Sequence, residues 1–146
     1  MAETRIFLDT SAVFAGVFSA SGGARALLQL GEVHAIQLIV GPSVLREADE
    51  VFRRKAPDLL PRLAMLLHQA NVQTGPDPSS DQLSLAQTVV DYEPDQQVVA
   101  EALAAGTHYL ATHDKVHLIA NPRVGSLPYP VGTPGDCLAW LRERFQ

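Results

Sequence analysis

With 146 residues, 47% of them hydrophobic and 18% charged, the chain is long enough to bury one full core and too apolar to be disordered. No apolar run reaches the roughly 20 residues of a membrane span, and a lone cysteine, Cys137, excludes an internal disulfide, so we expect a cytoplasmic protein without membrane association. A net charge of −5 argues against gripping nucleic acid through bulk electrostatics, unless cations held among clustered acids reverse it locally.

The opening segment from Met1 carries no signal-peptide pattern. Arg5 to Leu8 predicts a short buried strand. Ser21-Gly22-Gly23 marks a break, and Ala24 to Leu30 predicts a helix ended by Gly31. Ile36 to Val40 is a second strand. Ser43 then reads as the N-cap of a helix that runs to about Lys55 and stops before Pro57. A helix from about Asp58 to Ala70 gathers Leu59, Leu60, Leu63, Leu66 and Leu67 on one side. Val72 to Ser80 reads as a short strand and a loop, and Leu83 to Val90 as a helix. Pro94 suits the first turn of the next helix, which ends at Gly106. Tyr109 to Thr112 is a strand, Asn121 to Pro134 a Pro/Gly-rich stretch, and a final helix carries Leu138, Trp140, Leu141 and Phe145. Without internal repeat or long linker, residues 1–146 are expected to form a single domain. Alternating short strands and helices imply an α/β fold with a mostly parallel sheet, whose ligands bind beyond the C-terminal strand ends.

Acids occur at those ends. Asp9 follows the apolar run Ile6-Phe7-Leu8, and Asp114 follows Tyr109-Leu110-Ala111-Thr112. Taken singly, each is also a natural turn or cap residue. Asp95 has a sharper signal. At about 100° per residue it falls on the centre line of the stripe Val98, Val99, Ala102 and Leu103, while Glu93 and Glu101 fall toward the polar side. The helix macrodipole accounts for an acid in a first turn, but not for one aimed inward. On the helix after Ile36–Val40, Glu47 and Asp49 flank the apolar stripe equally, so periodicity leaves that choice open; Glu50 points away beside Arg46 and Arg54. Several acids aimed at one point repel unless a cation separates them, and oxygen ligands of this kind suit a hard divalent ion.

Other candidates are weaker. His113 and His117 are spaced for zinc only on a helix, and no cysteine or third histidine accompanies them, so we expect surface or locally bonded imidazoles. Arg53-Arg54-Lys55 reads as a solvated helix face, and Cys137 as packing in the last helix. The hydroxyls of Ser11 and Thr112 stand beside the strand-end acids, where they could orient a carboxylate.

Three strings then carry a family resemblance: Ile6-Phe7-Leu8-Asp9-Thr10-Ser11, Pro42-Ser43-Val44-Leu45-Arg46-Glu47, and Asp95 through Asp114 with its acid, small-residue helix, glycine, short strand and Thr-x-Asp order. Over nearly its whole length the chain resembles the PIN-domain nucleases, particularly the small single-domain toxins of prokaryotic toxin–antitoxin pairs. The resemblance implies a three-layer α/β/α sandwich with a mostly parallel central sheet, and commonly a homodimer. By motif position it makes Asp9, Glu47, Asp95 and Asp114 the catalytic and metal-binding acids, with Ser11 and Thr112 as supporting hydroxyls. It implies a ribonuclease that hydrolyses RNA phosphodiester bonds with Mg2+ or Mn2+, and an antitoxin protein as partner. The loop from Gly75 to Asp81 and the histidine at position 113 depart from the family pattern. A competing reading is a non-catalytic PIN-like module that binds nucleic acid or protein. An aspartyl-nucleophile phosphohydrolase at Asp9 is disfavoured, because that chemistry wants a second acid where Ser11 stands.

Overall fold

The computed structural model describes residues 3–146; the signal-peptide reading rests partly on Met1 and Ala2, which lie outside the described residues. Five strands, β1 (Arg5–Leu8), β2 (Gln37–Val40), β3 (Gln73–Thr74), β4 (Tyr109–Ala111) and β5 (Val131–Gly132), form one all-parallel sheet in the order β3-β2-β1-β4-β5. Helices α1 (Thr10–Phe18) and α2 (Gly23–Glu32) connect β1 to β2, and α3 (Pro42–Lys55) and α4 (Leu60–Gln69) connect β2 to β3. Then α5 (Ser80–Val89) and α6 (Glu93–Ala104) lead to β4, and α7 (Pro134–Arg144) closes the chain.

The central strand is apolar on both faces because both are covered: Ile6 and Phe7 are fully buried, and Phe7 pairs in register with Ile39 on one side and Leu110 on the other. From β1 to β3 the chain steps outward across the sheet, and at β4 it returns to the far side of β1. Right-handed crossovers therefore put α1 to α4 on one face and α5 and α6 on the other, the α/β/α arrangement expected. The reversal also leaves the C-terminal ends of β1 and β4 side by side, the crevice where open α/β sheets bind ligands. No single helix among the described residues is long and apolar enough to cross a membrane.

Several local readings need correction. Helix α1 went unread because Thr-Ser-Ala-Val-Phe-Ala-Gly-Val-Phe has almost no polar face to reveal a period; it is wedged against α2 and α3. Helix α2 runs through Gly31 rather than ending there. A side chain at Gly31 would come within 2.7 Å of Leu38, so the glycine serves close packing, and the left-handed residue is His34. Ser43 lies inside α3, whose N-cap is Gly41. The helix read from Asp58 divides into a 3-10 turn, Pro57–Leu59, and α4. Helix α5 starts earlier than Leu83, at a capping box between Ser79 and Gln82. The short strand β5 sits within the Pro/Gly-rich stretch, and Phe145 lies exposed just beyond α7.

Candidate metal centre

Because Leu8 pairs with Ala111, the next residues of both strands, Asp9 and Thr112, emerge together. Thr112 donates its hydroxyl to Asp9 Oδ2 at 2.5 Å, and Ser11 donates its own to Asp9 Oδ1 at 2.5 Å. Asp9 Oδ1 also accepts the Ala12 N–H at 3.2 Å, so the residue caps α1 while facing the crevice. Both carboxylate oxygens are thus occupied and the side chain cannot swing. Burial raises its pKa above the usual carboxylate value, against the opposing pull of those hydrogen bonds.

The same hydroxyls reach forward. Thr112 Oγ1 accepts the Asp114 N–H at 3.0 Å and Ser11 Oγ accepts the His113 N–H at 3.0 Å, which ties the loop after β4 to the start of α1. Asp114 in turn caps a π-helical turn, Lys115–Ile119, its Oδ1 accepting the His117 N–H at 2.9 Å.

Asp95 comes from the first turn of α6 and does point inward, only 8% exposed. Its Oδ2 is buried and has no hydrogen-bond partner. An oxygen of Asp95 and an oxygen of Asp114 lie within 4.8 Å of each other. Burial first, then the facing Asp114 side chain, then the charges of Asp114, Asp9 and Glu47, push the Asp95 pKa up to about 7. Four acids distant in sequence meet at this point.

Glu47 and Asp49 separate. Glu47 lines the cleft, with its pKa raised by partial desolvation and then by the charges of Asp9 and Glu50, while a hydrogen bond from Thr10 opposes the rise. Asp49 faces outward in an ion pair with Arg53 at 2.9 Å. Glu50 and Arg54, expected to point away, are exposed but line the same cleft. Cleft volume is about 610 Å³, and its walls also include Ser11, Tyr92 and His113. A nucleotide fits such a space.

Glu101 overturns its assignment to the polar side. It is 0% exposed. Its carboxylate accepts the Ser43 N–H at 3.2 Å, the Ser43 hydroxyl at 2.7 Å and the Gln97 side-chain amide at 2.9 Å. An acid from α6 thereby caps α3, where free N–H groups and the macrodipole favour negative charge. Gly41 makes the approach possible, since any Cβ there would collide with the Glu101 carboxylate. The weak signal that could have flagged it is its apolar surroundings along the chain, Val98, Val99, Ala100, Ala102 and Leu103, which leave that part of α6 no polar side.

His117, expected as a surface or locally bonded imidazole, lies beside the site acids, and Tyr92, which was not singled out, lines the cleft. His117 Nδ1 lies 3.6 Å from Asp95 Oδ2 and 3.4 Å from Asp114 Oδ2, and its ring stacks on Tyr92 at 4.7 Å. A buried, orphaned carboxylate oxygen among further acids is the environment a divalent cation satisfies, so these residues fit a metal.

A family model described as PIN domain matches residues 5–116. Among solved structures, a chain of VapBC2 from Rickettsia felis, bound to a DNA fragment from their promoter, superposes with a TM-score of 0.64 at 12% identity, covering 88% of this chain and 97% of that one. Mycobacterium tuberculosis VapC20, described as a Sarcin-Ricin loop cleaving toxin, superposes with a TM-score of 0.52 at 17% identity, covering 79% of this chain and 94% of that one. At such identities the likeness is one of fold. No curated protein matches the sequence.

Proposed function

The chain belongs to the PIN-domain family, and from that premise we propose that it is a divalent-metal-dependent ribonuclease, the toxin of a toxin–antitoxin pair. The observation that carries this reading is the orphaned, buried Asp95 carboxylate facing Asp114 in a cleft that Asp9 and Glu47 also line. Pure binding of a polyanion gains nothing from acids massed beside its phosphates, which counts against the non-catalytic alternative. When bound among these acids, Mg2+ or Mn2+ would neutralise phosphate charge and lower the pKa of water.

The protein's own groups divide the remaining work. Asp9, clamped at both oxygens, offers a preorganised anchor that pays no ordering cost when substrate arrives. Asp95 and Asp114 face each other across the point where a cation would be held, and their carboxylates would supply its oxygen ligands. Glu47, exposed and with a raised pKa, can accept a proton from attacking water at its carboxylate. Arg54 on the rim meets incoming phosphate.

RNA as substrate and an antitoxin as partner are supported by what the two fold relatives are described as doing. A homodimer and a cytoplasmic location complete the proposal. The test is cleavage of purified RNA by the purified protein with Mg2+ or Mn2+, against chelator and an Asp9→Asn control. We expect cleavage that both treatments abolish. Equal activity in the Asp9→Asn protein would refute the role given to that residue, and no cleavage under any metal would refute the enzyme.

A further inference from the structure

Carboxylates alone make up the ligand set proposed above, yet the side chains that close on one point include an imidazole. We propose that His117 is a nitrogen ligand, so that Asp95, Asp114 and His117 form a mixed nitrogen–oxygen subsite that takes a first-row transition cation such as Mn2+ in preference to Mg2+. This rests on the metal-dependent reading and deepens it.

Geometry is the first support. One ligand atom from each of the three residues lies within 4.8 Å of the others, with two edges of the triangle at 3.4 and 3.6 Å. With the third edge anywhere up to 4.8 Å, a point equidistant from the corners is roughly 1.9–2.4 Å from each, a range that includes the bond lengths of such cations to nitrogen and oxygen. The edges are also too long for charge-assisted hydrogen bonds, which close to about 2.7–2.9 Å. His117 stands off the two carboxylates at a separation that co-ligands of one cation share with a loose ion pair.

The second support is independent: Asp95 is 8% exposed, and the Oδ2 that faces His117 has no hydrogen-bond partner. A buried oxygen left this way is costly, and a cation bound between it and the imidazole would satisfy it.

Local structure explains how the imidazole gets there. Asp114 is an N-cap, and the third residue beyond a cap is the one whose side chain folds back toward it, as in a capping box. His117 occupies that position. Its backbone N–H occupies Asp114 Oδ1, which leaves Oδ2 turned to the ring. The turn itself is π-helical, a rare form that is frequent at functional sites. Tyr92 lies nearly parallel to the imidazole, 19° between planes, and restricts its rotation. Imidazole is a poor ligand for Mg2+ and a good one for transition cations, so the donor set carries the selectivity.

Pulsed electron paramagnetic resonance of Mn2+ bound to the full chain tests this directly. We expect nitrogen modulation in the wild type and in His113→Gln, and its loss in His117→Gln. Mn2+ affinity should fall by about tenfold or more in His117→Gln, while Mg2+ affinity, read by competition, changes less than about twofold. Circular dichroism checks that the variant folds; if it does not, the wild-type and His113→Gln spectra decide the matter together, modulation lost in His113→Gln overturning the assignment. A wild type that binds no Mn2+, or binds it without nitrogen modulation, overturns the proposal. So does a variant that loses both metals equally. RNA cleavage without nitrogen modulation sinks this inference and leaves the nuclease standing; nitrogen modulation without cleavage does the reverse.

Discussion

Helix α6 buries two carboxylates, Asp95 in its first turn and Glu101 further along, and the contrast between them locates the site. Glu101 is wholly buried and amply partnered, by the Ser43 N–H, the Ser43 hydroxyl and the Gln97 amide. Asp95 is almost as buried, but one oxygen has no partner and the nearest groups are other acids. Burial of an acid is thus not what marks chemistry in this molecule. The mark is a missing partner. Glu101 fastens α6 to α3, and so sets the distance between the helix that bears Asp95 and the helix that bears Glu47.

Substitutions can break this contrast, beginning with the largest effect. Asp95→Asn should lower RNA cleavage by roughly a thousandfold, about 4 kcal/mol of transition-state stabilisation. It should nonetheless make the metal-free protein more stable at neutral pH. The Asp95 pKa is raised in the folded state to about 7 from the ordinary aspartate value of 3.8, so folding favours the protonated form. That contribution is complete below pH 3.8 and is lost as pH rises through about 7. The raised Asp9 pKa acts in the same direction. Denaturant midpoints of the metal-free protein should therefore fall between these pH values, less steeply in Asp95→Asn, and a midpoint that rises over this range would contradict the assignment.

Glu101→Ala should cost about 3 kcal/mol of stability, because it strands the Ser43 and Gln97 donors in the interior. Chemical unfolding measures this, and cleavage per folded molecule should also fall as α3 loosens. Thr112→Val removes the hydroxyl that joins Asp9 to Asp114 and should reduce cleavage about tenfold with little change in overall metal content. An unaltered rate would mean that the hydroxyl does not orient Asp9. The smallest effect is expected of Asp49→Asn, under about 0.5 kcal/mol, since its pair with Arg53 is exposed. Glu47→Gln, two residues back and on the cleft side of the helix, should by contrast impair cleavage.

Much of this was readable residue by residue. Buried parallel strands must be apolar on both faces, so β1, β2 and β4 stand out as short apolar runs, and the acids just beyond β1 and β4 are legible with them. Asp95 was legible because an apolar stripe has a centre line. Glu101 was not, because periodicity presumes a helix with one wet side, and α6 between Val98 and Ala102 has none. Helix α1 was hidden for the same reason.

By itself the amino-acid order determined the strand runs, their alternation with helices, and the turn chemistry that puts Asp9, Asp95 and Asp114 at element ends, because these depend on interactions within a few residues. Motif resemblance alone favoured Glu47 over Asp49, and only the folded chain put Glu47 in the cleft with Asp49 outside it, turned Glu101 into a helix cap, and brought His117 against Asp95. Those outcomes depend on which helix lies across the crevice, and the reversal of strand order between β3 and β4 sets that over distances no local pattern encodes.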